Sequence, residues 1–267
     1  MSLLENRPSG VGGPARPAAV DDTQAATSRR PRALRELLLV VSLWVAYSLG
    51  RHAADGRVSA AFDNARGVWD LENFLHLPDK AGLQHLLLQN ETLVTVANCY
   101  YAFVHFPATA AFLVWLYVRR PGHYRRVRNT LALLTAAALV IHTLFPLAPP
   151  RMLADTGLID TGQRYGPTVY GSPDAGSTFT NQYAAMPSLH VGWAILLAVT
   201  VIAVTSGPWR WLWLAHPTIT LAVVVGTANH YWIDGVVAGL ILLAASHAAG
   251  TLYRVRRAPR TARAPAT

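Results

Sequence analysis

Six stretches of this chain run apolar for close to the roughly 20 residues that a helix needs to cross a bilayer: about 33–50, 92–118, 130–147, 188–205, 209–228 and 232–253. Between the first two, "AFDNARGVWDLENFLHLPDKAGLQHLLLQN" places Val68, Leu71, Phe74 and Leu75, then Leu83, Leu86 and Leu87, at helical spacing. That pattern predicts amphipathic helices within 54–91 on the outer surface. Helices that lie in a membrane interface are usually rich in Lys and Arg, and these are not, so packing against the bundle is an equal expectation. The stretch from about 148 to 186 breaks the apolar pattern. Its "GLIDTGQRYGPTVYGSPDAGSTFTNQY" has the composition of irregular chain, and loops of such length are usually functional or disordered.

These elements predict an all-α fold, a polytopic membrane protein whose six-helix domain occupies 31–253. Residues 1–30, rich in Gly, Pro, Ala and Arg and without hydrophobic periodicity, read as a disordered tail, and 254–267 as a basic tail. The first apolar stretch follows a basic flank that includes Arg29-Arg30, which leaves two readings, a retained signal anchor or a cleaved signal peptide. No small-residue cleavage site follows it, which favours the anchor.

Composition agrees with a membrane protein, since 52% of the 267 residues are hydrophobic and only 14% charged. A net charge of +9 would point a soluble chain towards nucleic acid, but here the basic residues sort by segment. Of the 23, 17 lie in the N-terminal tail, in "RRPGHYRRVR" (119–128), at Arg210 and in the C-terminal tail. The positive-inside rule then predicts six crossings of the cell membrane, both termini cytoplasmic and the 148–186 loop outside. Membrane lipids are the expected partners, nucleic acid is not, and nothing in the sequence sets an oligomeric state. Cys99, the single cysteine, allows no intramolecular disulfide and reads as packing.

Within this frame a few polar residues stand out. "MPSLH" puts Ser188 and His190 at the start of the fourth stretch, where free backbone N–H groups favour an anion, and Pro187 suits a first helical turn. "NHYWID" puts His230 and Asp234 four residues apart, so that on a helix the carboxylate can hold the imidazole and set its tautomer. Two crossings separate His190 from His230, which returns the chain to the same face. None separates Arg151 in "FPLAPPRM" from Ser188, so all five residues are expected together on the outer side. A cation, a hydroxyl, helix-start amides and two histidines are the parts that phosphoryl transfer uses. No metal cage and no cofactor motif are evident. Asn98, Tyr101 and His105 share one helical face and are either interhelical glue or a substrate-facing wall. Tyr183 and Asn181, just before the Pro-Ser motif, are expected to border the pocket, and His142, His216 and His247 read as structural.

"MPSLH" followed some forty residues later by "HYWID" resembles the type 2 phosphatidic acid phosphatase superfamily. Together with "FPLAPPRM", the motifs look like its inositol phosphorylceramide synthase branch, the aureobasidin-resistance proteins, over roughly 35–253. The resemblance implies that His230 is the nucleophile of a phosphohistidine intermediate and Asp234 its orienting carboxylate. It further implies that His190 protonates the leaving oxygen, and that Ser188 and Arg151 bind substrate phosphate. Two departures stand out: the phosphatases' Lys-and-Arg-Pro motif is missing, and Val224 stands where they carry an Arg six residues ahead of the nucleophile. Arg164 is a weaker second cation.

The expected function is therefore an integral-membrane phosphotransferase acting on a lipid phosphate, which passes a phospho-head group to inositol or another alcohol. A lipid phosphate or pyrophosphate phosphatase, with water as acceptor, is the alternative. A proton- or metal-coupled transporter is a rival from another class. It is disfavoured because transporters usually show repeated halves with helices interrupted at midplane, and these residues cluster at helix ends. A catalytically dead scaffold is the third reading.

Overall fold

The computed structural model describes residues 33–52, 57–168 and 182–257, so both expected tails, apart from residues 254–257, and Asn181 fall outside the described residues. The described chain is helical, with no strand and a single parallel bridge between Leu147 and Ala184. Helix α1 spans Ala33–His52, and α2 (Val58–Phe74) and α3 (Lys80–Leu88) fill the amphipathic region. Helix α4 (Glu91–Cys99) continues through a π-helical turn, Tyr100–Val104, into α5 (His105–Arg119), and α6 spans Pro121–Leu144. A short α7 (Thr161–Tyr165) interrupts the 148–186 stretch, followed by α8 (Leu189–Val204), α9 (Ala215–Gly226) and α10 (Trp232–Arg257).

The starts of these helices are written locally. Asp79, Asn90, Asp160 and Ser188 each accept a backbone N–H of the turn that follows, the capping that polar side chains give a helix N-terminus. Pro187 lies outside α8, one residue before its cap, and not in the first turn as expected. Pro121 opens α6, where a missing N–H costs nothing, so the basic segment 119–128, expected as a loop, is largely the first turns of that helix.

Among the described residues, three continuous helical segments are long and apolar enough to cross a membrane: Glu91–Arg119, Pro121–Leu144 and Trp232–Thr251; α8 is a shorter apolar helix. The expected span over 209–228 is divided between a 3₁₀ segment, Pro208–Leu214, and the 12-residue α9. Phe112 and Leu116 of α5, Leu134 and Ala138 of α6, Leu196 and Leu197 of α8, and Leu242 and Ala245 of α10 form the main apolar core. Gly192 lets α8 come close to two neighbours, because a Cβ there would stand 3.1 Å from Leu134 and 3.5 Å from Ala238.

Helices α2 and α3 are packed on the bundle. Ala61, Ala65 and Val68 of α2 are buried against Leu147, Ala148, Met186 and Tyr231, while α3 lies along α9. The segment around α7 is pinned as well. Asn98 of α4 donates to the carbonyls of Thr161 (2.9 Å) and Gly166 (3.0 Å), and Gln84 of α3 exchanges two hydrogen bonds of 3.0 Å with the backbone of Ile159. Asn98 is thus a clamp on the loop.

Candidate active site

His230 stands in the turn between α9 and α10. Helix α9 ends because the Val224 carbonyl accepts the N–H groups of both Asn229 and His230, at 3.0 Å each, while Ala228 takes a left-handed φ of 55°. Such a conformation strains any residue with a Cβ, by about 1 kcal/mol. Asp234 occupies the first turn of α10, is fully buried, and accepts the Tyr231 N–H at 2.9 Å, closing the start of the helix from within.

The same Asp234 Oδ2 lies 3.1 Å from His230 Nδ1, and the Ala185 carbonyl lies 2.8 Å from it. A carbonyl can only accept, so Nδ1 carries the proton and the lone pair is on Nε2. Burial pulls the His230 imidazole from its ordinary 6.5 down to about 4; the Arg151 charge pulls the same way and the Ala185 carbonyl opposes it. At neutral pH the ring is therefore uncharged, in one tautomer, with Nε2 as a nucleophilic nitrogen.

His190 sits in the first turn of α8, its ring centroid 5.9 Å from that of His230. It is sandwiched between Tyr101, stacked at 4.4 Å, and His105 at 4.3 Å; His105 in turn stacks on Trp193 at 4.9 Å. The π-helical turn carries Tyr101 and leads directly into His105. Ser188 is fully buried as the cap of α8, its Oγ 3.4 Å from the Val191 N–H, and its own N–H donates to the Asp234 carbonyl. His142 donates from Nε2 to the Pro187 carbonyl at 3.2 Å, so it fixes the backbone that presents Ser188.

Arg151 is buried, and its backbone N–H donates to the Ala228 carbonyl, two residues before His230. Its guanidinium donates to Asp160 (2.9 Å), Asn229 (2.7 Å) and Gln182 (3.3 Å). A cation in so many bonds is rigidly aimed, and Asp160 offsets its charge. Tyr183 packs edge-on to Phe62 at 6.2 Å, beside α2, and Arg164 is exposed over the Tyr165 ring. Among the described residues, no three His, Cys, Asp or Glu side chains gather as a metal-binding set.

Sequence reasoning missed the residues around this constellation: Asn229, Asp160 and Gln182 on Arg151, and a buried Glu72–Lys80 ion pair beneath α10. One signal was present. Glu72 continues the buried face Ala61, Ala65, Val68 of an amphipathic helix, where an acid has no place unless something pairs with it.

Residues 66–249 match the family model of the PAP2 superfamily, which is well over half of the chain. The chain belongs to the PAP2 superfamily. No significant match to a curated protein or to a solved structure was found. Membership makes it a phosphatase-type enzyme of the membrane, acting on lipid substrates. The matched region of this PAP2 protein holds every residue of the constellation, from Glu72 to Asp234. Val224, where PAP2 phosphatases carry an Arg by the resemblance above, is buried in an apolar cluster with Tyr101, Val191 and Val225, and it contributes its carbonyl to the turn before His230.

Proposed function

We propose that the protein is an integral-membrane phosphotransferase that moves a phospho-head group from a lipid donor to an alcohol through a phosphohistidine on His230. The observation that carries this reading is the Nδ1–H of His230, held by the Ala185 carbonyl and Asp234, which leaves the lone pair on Nε2, with a second imidazole, His190, 5.9 Å away between ring centroids. In the first half-reaction Nε2 attacks phosphorus, the bond to the leaving lipid oxygen breaks, and His190 gives that oxygen its proton. In the second, His190 takes the proton of the acceptor hydroxyl, whose oxygen attacks phosphorus and breaks the P–N bond, restoring both rings. Arg151 and the helix-start amides around Ser188 hold the phosphate oxygens.

Transfer is favoured over hydrolysis by the thin set of fixed cations. Val224 replaces one, and Arg151 is already shared among three protein partners, so one face of the phosphoenzyme is left for a neutral polyol. The likeness to the inositol phosphorylceramide synthase branch makes inositol the first acceptor to try. Purified protein should be given a phospholipid donor with labelled inositol or other polyols, following labelled phosphoester, released lipid alcohol and free phosphate together. Acceptor-dependent label in a water-soluble phosphodiester that joins the head group to the polyol, with the lipid alcohol released, is the expected result. Phosphate or phospho-head group released at full rate, whatever alcohol is present, would establish the phosphatase alternative.

The distribution of basic residues supports six crossings with this chemistry on the outer side. Asp155 is exposed in the outer loop, so Asp155→Cys in a Cys99→Ala background should react with an impermeant thiol reagent on intact cells. Labelling only after lysis would put the site in the cytoplasm.

A further inference from the structure

Three residues lie between His230 and Asp234, and each is held by one short segment of chain, residues 72–80, more than 150 positions away. Glu72 accepts the Ile233 N–H at 2.8 Å with Oε1 and pairs through Oε2 with Lys80. The Trp232 indole donates to the Pro78 carbonyl at 2.8 Å. The Lys80 ammonium lies over the Trp69 ring at 4.1 Å and 5.9 Å from the centroid of the Tyr231 ring. Tyr231 is itself locked, since burial pushes its phenol up and its hydroxyl donates to the Ala148 carbonyl at 3.1 Å.

Glu72 and Lys80 are 1% and 4% exposed, so neither serves solubility, and a buried ion pair is a poor source of stability compared with apolar side chains of the same size. What the pair does is local. Ile233 contributes one of the N–H groups that a helix start leaves without an intrahelical partner, and Glu72 satisfies it from another element. Asp234 brings a second carboxylate to the same helix start; the Lys80 ammonium pairs directly with Glu72 and acts on Asp234 through space. The backbone of 231–233 in turn sets how far the Asp234 carboxylate stands from the His230 ring.

Resting on the phosphohistidine reading above, we infer that Glu72 and Lys80 are positioning residues that hold the start of α10, and through it the His230–Asp234 pair, in register for attack. Without Lys80, two buried carboxylates share one helix start and repel. The start of α10 then shifts and draws the His230 ring away from the Ala185 carbonyl as well as from Asp234, so that His230 loses its single orientation.

The test is Lys80→Met, Glu72→Gln and the double variant, purified in detergent beside exposed-face Asp63→Asn as control. Misplacing a reacting group by about 1 Å can cost about a hundredfold. Lys80→Met should therefore lower kcat some ten- to hundredfold, with KM within about twofold. Glu72→Gln/Lys80→Met keeps an acceptor for the Ile233 N–H without an unpaired charge, and should recover most of that loss. A purely structural pair would change thermal stability and leave kcat per folded molecule at the wild-type value, which overturns the inference. The His230 imidazole signals of isotope-labelled protein, assigned by His230→Ala, give a readout independent of turnover. A single Nδ1–H tautomer is expected in the wild type and a mixture in Lys80→Met, and an unchanged signature in Lys80→Met overturns the inference as well. Wild-type protein that is inactive on every donor refutes the proposed reaction, and the tautomer arm still decides the positioning. Should Lys80→Met fail to fold, Glu72→Asp, which keeps the charge but draws it back from Ile233, carries the same measurements.

Discussion

His230→Ala will remove turnover by about 10⁴-fold or more, the scale seen when a covalent nucleophile is deleted. At His230 the Ala185 carbonyl and Asp234 fix the tautomer, which gives an oriented imidazole with its lone pair committed to one nitrogen. Asp234→Asn should be milder, roughly a hundredfold, the scale on which groups that orient a functional histidine act. The Ala185 carbonyl, at 2.8 Å, still holds the Nδ1–H tautomer when only the carboxylate is replaced. Protein incubated with labelled lipid phosphate and quenched in alkaline denaturant should carry base-stable, acid-labile label in the wild type and none in His230→Ala. Near-normal turnover in purified His230→Ala would end the phosphohistidine mechanism.

His190→Ala should cost about 10² to 10⁴ with a lipid alcohol as leaving group, the usual worth of a positioned general acid. The loss should shrink to a few-fold when the leaving group is an acidic nitrophenol, which departs without help. An equal loss with both leaving groups would take the proton donor's role away from His190. The pH profile separates the two histidines further. With its imidazole pulled down to about 4, His230 is neutral above that pH and protonated below it. The kcat/KM of the free enzyme should therefore hold from neutrality into mild acid and fall only as pH drops through about 4. His190→Ala should leave that acidic limb in place, because the limb belongs to another ring. A limb near 6.5 in the wild type would mean that the His230 site is open to water.

Helical segments were legible wherever apolar residues alone set them: the stretch 92–118 corresponds to the continuous segment Glu91–Arg119, and the amphipathic region between the first two apolar stretches holds α2 and α3. Hydropathy misled where charge and apolarity are local but the helix is not. The arginines of 119–128 form a polar run between two apolar stretches, yet Pro121 starts a helix there and two turns of α6 carry Arg128 to a buried partner, Glu36 of α1. The Trp-rich stretch after Pro208 is apolar enough for a span, yet it winds as a 3₁₀ segment before α9, a distinction that mean hydropathy does not register.

What the sequence determined by itself was short-range chemistry. The spacing of His230 and Asp234, the Ser188 cap, and the acid on the inner face of α2 follow from a few neighbouring residues and the geometry of a helix. Tertiary structure alone decided everything that spans elements: that the Ala185 carbonyl fixes the His230 tautomer, that Tyr101 and His105 enclose His190, and that Asp160, Asn229 and Gln182 hold Arg151. It also decided that Lys80 is buried with Glu72 and that Glu72 accepts the Ile233 N–H at the start of α10. The physical reason is that a polar group's role depends on what desolvates and pairs it, and those partners lie tens to more than a hundred residues away, where no local periodicity reaches.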